Sequence, residues 1–241
     1  MTSETGNPFH APPPPPLPPP LPPAEWPKTL CVGMFGMAVA LAWVLGEYGA
    51  TVMGSSPLGL MRYAQVAPAA LAFVSASLCG PKAFRLQLAG ALAVGMSPFL
   101  TWFLRSAGRT HFSLCILILT IAVLWMLLEL NGLARRVAWS SGCLPLLATC
   151  RAHRLLLRYA VIIPIVANHF AHWVLYHRLG HMDMLLLNVW HPGVPRVRGM
   201  LAFCVILGLA FSCILCLVIT YHVCNQQLTA KIHKTASPQE A

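Results

Sequence analysis

After residue 28 the chain is a succession of long apolar runs, with basic residues between them mostly as singles and pairs. Charge-free stretches extend from Thr29 to Gly46, Tyr63 to Pro81, Leu86 to Leu104, Thr110 to Leu128, Tyr159 to His177, and Gly199 to about Tyr221. A helix needs about 20 apolar residues to cross roughly 30 Å of hydrocarbon. The pattern therefore predicts six membrane-spanning helices, because a segment in lipid must satisfy its backbone hydrogen bonds within itself. Pro68, Pro98 and Pro164 fall inside three of the runs and predict kinks, which membrane helices tolerate. Two further apolar stretches, Val137 to Cys150 and Met184 to Pro195, are too short to span. They predict interfacial or re-entrant segments.

Composition strengthens this reading. Of 241 residues, 57% are hydrophobic and 9% charged, against about 25% charged in soluble domains. Such a chain cannot cover a soluble exterior with polar groups. The predicted fold class is an all-α membrane protein, a polytopic helical bundle of about six transmembrane helices. Residues 1–28 form a separate proline-rich tail, 29–224 the transmembrane domain and 225–241 a short polar C-terminal tail.

The formal charge is +10. The basic residues stand as singles and pairs between apolar runs, with no basic stripe interleaved with aromatics, so nucleic acid is not an expected partner. Their placement instead predicts orientation. One side of the six-span arrangement carries Lys28, Lys82, Arg85, Arg135, Arg136, Arg151, Arg154, Arg158, Lys231 and Lys234. The other carries Arg62, Arg105, Arg109, Arg178, Arg196 and Arg198. Ten against six puts both termini in the cytoplasm, with the plasma membrane as the expected location.

In the tail, eleven of the seventeen residues from Ala11 to Pro27 are proline. Proline has a fixed φ and no N–H, so this stretch is an extended rod without a core, disordered in the sense of having no packed structure. It acts as a spacer or as a ligand for a polyproline-binding domain. The first three spans are rich in Ala and Gly. Gly36 with Ala40, Ala38 with Ala42, Ala72 with Ala76, and Ala91 with Gly95 lie four apart. That spacing favours close helix contacts in lipid, within the chain or with other membrane subunits.

Four histidines fall between Asn168 and Asp183: His169, His172, His177 and His181. As a helix they would spread over about 180°, so one helix cannot aim all four at one ion. Subsets can supply imidazole to haem or a transition metal, with ligands from other helices. The simpler role is interfacial anchoring beside Trp173 and Tyr176. Glu47 and Glu129 border apolar runs and are candidates for an intramembrane polar path. Their positions near opposite helix ends argue that they do not meet, and a snorkelling carboxylate near Arg135 and Arg136 accounts for Glu129.

The nine cysteines lie mostly in apolar runs and read as small apolar fillers. Cys213 and Cys216 form a C-x-x-C in mid-helix, where burial disfavours the thiolate a redox pair requires. Cys143, Cys150 and His153 match no standard zinc spacing and lack a fourth ligand. No phosphate loop, H-E-x-x-H or nucleophile elbow occurs. The leading functional expectation is a non-enzymatic membrane assembly or scaffold protein in the lipid bilayer, without a required cofactor. A small-solute or ion transporter and a haem- or metal-binding oxidoreductase are the alternatives.

Overall fold

The computed structural model describes residues 29–52, 66–105, 110–167, 170 and 195–236. Among these the protein is almost entirely helical, with no strand. Helix α1 is Leu30–Val52 and α2 is Val66–Leu78. A short 3-10 turn, Pro81–Ala83, leads into α3, Phe84–Arg105. Helix α4 is Thr110–Ser140, α5 is Leu144–Leu156, and α6 is Pro195–Ala236. Helix α5 runs without a break into a π-helical turn, Leu157–Ile162, and on to residue 167.

Contacts between helices fix their directions. The start of α1 meets the end of α2, where Gly33 faces Ser75 and Cys79. The start of α3 meets the second half of α4 through Arg85 and Glu129. Asn131 of α4 bonds the Cys150 carbonyl of α5, and the Cys213 thiol of α6 reaches the Ala38 carbonyl of α1 at 3.4 Å. Successive described helices thus alternate in direction, and α6 returns to lie along α1. The main core draws on all six helices, around Met34, Met37, Leu41, Leu86, Leu130, Leu133, Leu157 and Leu215. A smaller cluster, Ala93, Ile116, Leu119 and Ala122, joins α3 to α4.

The outward faces are also apolar. Val32, Phe35, Val39 and Trp43 form an exposed stripe on α1, and Phe203, Phe211, Ile214 and Leu217 are exposed on α6. Among the described residues, four helices are long and apolar enough to cross a membrane: Leu30–Ala50, Pro81–Leu100, Leu114–Ser140 and Ala202–Thr229. An apolar helix with an apolar exterior is what a membrane-embedded protein requires.

Several local features differ from the sequence expectation. The described part of the second run is a 13-residue helix, shorter than a span, and Pro68 lies in its first turn. There a missing N–H interrupts no helical bond, so no kink follows. Val137 to Cys150 is not one re-entrant segment. Its first residues finish α4 and its last ones belong to α5. The break is a Schellman turn: Cys143 N–H donates to the Ala138 carbonyl at 3.1 Å and Gly142 N–H to Trp139 at 3.2 Å. Gly142 takes φ 64° there, a conformation costly for any residue with a Cβ.

Pro164 is answered by a widened turn. Ile163 N–H donates to the Arg158 carbonyl, five residues back, in the π-helical stretch just before the proline. The wider turn relieves the collision between a proline ring and the carbonyl four residues earlier. Beyond Cys224, α6 continues through the polar sequence to Ala236. The change of composition at residue 225 is therefore not the end of a helix. The proline-rich tail and the stretch from Met184 to residue 194 lie outside the described residues.

Candidate functional site

Among the described residues, a linked set of buried polar side chains lies where α4, α5 and α6 meet. Asn131 is 2% exposed, His153 3% and Ser212 0%. Helix α5 buries the stripe Leu146, Leu147, Cys150, His153, which continues to Leu157 and Val161. This is the spacing of one helical face, so His153 is carried inward with the leucines.

The hydrogen bonds define the protons. Asn131 Nδ2 donates to the Cys150 carbonyl at 3.0 Å and lies 2.9 Å from His153 Nδ1. A carbonyl can only accept, so the amide's NH2 end must face this way. Its second hydrogen then points to Nδ1, which accepts. The ring is neutral, and its proton is on Nε2. That N–H donates to Ser212 Oγ at 3.0 Å, and Ser212 in turn donates to the Gly208 carbonyl at 2.7 Å. Every donor on these three side chains within the chain of bonds has an acceptor. A buried polar group left without a partner costs about 1–3 kcal/mol, so the network holds the three helices in one register.

The π-helical turn packs one helical turn away. A Cβ on Gly208 would stand 2.7 Å from Val161 Cγ2. Only the absence of a side chain at 208 lets α6 approach the widened turn so closely. A second polar link closes the same end of the bundle. Ser141 Oγ donates to the Val137 carbonyl at 2.8 Å and accepts from His222 Nε2 at 3.1 Å.

None of Asn131, His153 and Ser212 is among the site residues expected from sequence. His169, His172, His177 and His181 lie outside the described residues. Among the described residues, no three His, Cys, Asp or Glu side chains come together as metal ligands. Glu47 accepts from the Trp43 indole N–H at 2.6 Å, near the end of α1. Glu129 accepts from Trp125 Nε1 at 3.3 Å and pairs with Arg85 at 3.9 Å. The two carboxylates sit toward opposite ends of the bundle. Glu129 is thus held by the cation that begins α3, not by Arg135 or Arg136, which α4 carries past it on an exposed surface. Cys213 and Cys216 are packed in the helix interface, with Cys216 0% exposed, as expected of apolar fillers.

Sequence reasoning passed over His153 because it tested the residue only as a zinc ligand. The usable signal was its position on the apolar stripe of α5. Asn131, four residues before Arg135, carried no comparable mark. No protein family, curated protein or solved structure matches this chain.

Proposed function

We propose that this is a six-pass membrane protein with both termini in the cytoplasm, acting as a non-enzymatic assembly or scaffold subunit of the plasma membrane. The observation that carries the reading is the distribution of polarity between inside and outside. Large apolar side chains such as Phe35, Trp43, Ile121, Phe203 and Ile214 point outward. Asn131, His153 and Ser212 turn inward and spend their hydrogen bonds on one another. A network whose donors are all taken up inside the bundle holds helices together. The alternating helix directions and the ten-to-six division of basic residues support the topology.

Purified protein tests the role against its rivals. Co-purification of a membrane partner is the expected result. Solute flux in liposomes would favour a transporter. A Soret band or bound transition metal lost on His169→Ala or His172→Ala would favour an oxidoreductase. For topology, a reporter fused after residue 230 is expected to be active on the cytoplasmic side, and activity on the outer side would overturn the six-pass arrangement.

A further inference from the structure

We propose that the outer face of α5 is a binding site for anionic phospholipid headgroups, formed by Arg151, Arg154 and Arg158. The proposal rests on the membrane reading above. The three residues stand at i, i+3 and i+7, within about 60° of one another around the helix axis. Arg151 and Arg158 are exposed and Arg154 is half-buried. The adjoining face of α5 buries His153 and the core leucines, so the helix cannot rotate its arginines away from the surroundings without breaking the Asn131–His153–Ser212 network.

Three observations select a lipid phosphate. The first is the side chain used: this face holds arginine alone, and Arg135 and Arg136 add two more on the facing end of the hairpin, opposite the start of α5. A guanidinium fork matches two phosphate oxygens at once, where an ammonium offers a point charge. The second is the company the arginines keep. Exposed Leu155 and Tyr159 lie among them, which suits a ligand with a charged head and an apolar body. The third is depth. After Arg158 the helix runs from Tyr159 to Ala167 without a charge, so the arginines stand where the chain passes from polar to apolar, with a tyrosine at the boundary. Charge complementarity also favours an external anion, since the nearest described acid on α4, Glu129, is engaged by Arg85 and Trp125. Cations at a leaflet surface concentrate acidic lipids in this way.

The test uses full-length protein in nanodiscs of phosphatidylcholine containing a minor fraction of fluorescent phosphatidylserine. Energy transfer from the protein's tryptophans reports lipid at its surface. Wild type is expected to enrich the labelled lipid, and high salt to reduce the enrichment. Arg151→Gln/Arg154→Gln/Arg158→Gln should lower it by about tenfold or more, given that each cation near a surface contributes several-fold. The Arg→Lys triple variant should retain part of it. Lys231→Gln/Lys234→Gln should change it by less than about twofold, and an equal loss there would mean general charge attraction and overturn the site. Incorporation into discs without enrichment would overturn the site while the membrane reading stands. Failure to enter discs at all would overturn both. Displacement of the label by an acidic peptide that binds equally well in pure phosphatidylcholine discs would overturn the lipid in favour of a protein partner. Unchanged circular dichroism and elution volume confirm that each variant folds.

Discussion

The α1–α2 seam and the α4–α5–α6 junction solve the same problem in opposite ways. At the seam, side chains are removed. Gly33 lets α1 come so close to α2 that a Cβ there would lie 2.7 Å from the Ser75 carbonyl oxygen and 2.8 Å from Cys79 Sγ. Near it Ala40, Ala72 and Ala76 are all buried. At the junction, side chains are added, and Asn131, His153 and Ser212 reach across three helices with directed bonds. Both solutions suit a medium in which apolar contact alone does not tell one helix face from another. The seam gains dispersion contacts through proximity, whereas the junction gains specificity through directed bonds between buried polar groups. Each should fail in its own way.

The largest effect is expected at the seam. Gly33→Val would drive a branched side chain into a backbone carbonyl, which cannot rotate aside as a side chain would. A loss of about 3 kcal/mol or more is expected, at the upper end of overpacking costs, read as a fall in apparent Tm in detergent. A variant as stable as wild type would show that α1 and α2 do not pack this closely.

At the junction, His153→Ala removes an acceptor from Asn131, a donor from Ser212, and the ring itself. About 2–4 kcal/mol is expected from the stranded polar groups and the cavity. The sharper experiment replaces the whole network. Asn131→Leu/His153→Leu/Ser212→Ala should recover part of that loss, since exchanging all partners for apolar groups leaves none unsatisfied. If the triple variant loses as much as the three single changes added together, the three residues act independently and the network is not one unit.

A smaller effect is expected where the junction borrows the seam's device. Gly208→Ala should cost about 1–2 kcal/mol, because the new methyl meets Val161 Cγ2, the tip of a side chain that can shift in part. Smallest of all is Gly95→Ala. A Cβ there meets nothing within 4 Å, and alanine is the better helix former. A gain of up to about 1 kcal/mol is expected, and a clear loss would mean that this face is covered in the intact assembly.

The glycine pairs show how far the sequence could be read. Small residues four apart were visible at Gly36 and Ala40 and equally at Ala91 and Gly95. The first pair lies in a tight helix contact, with Ala40 buried and a Cβ on Gly36 blocked by the Ser75 side chain. The second pair is exposed. Spacing states that two residues share a face, but the face that meets a neighbour depends on where the other helices lie. The same limit hid the candidate site. Asn131 and His153 are 22 residues apart, and Ser212 is a further 59 along.

By itself, the sequence determined that the chain is helical and built for lipid, because apolar content and run length act locally and each segment must close its own hydrogen bonds. The break before α5 is also local, in the glycine at 142 and the proline at 145, but reading Val137 to Cys150 as one segment passes over it. Only the tertiary structure decided that Pro164 is met by a π-helical turn and that Glu129 belongs to Arg85. It alone decided that His153 is a neutral link between Asn131 and Ser212, because the identity of a buried group's partner depends on helices brought together from distant parts of the chain.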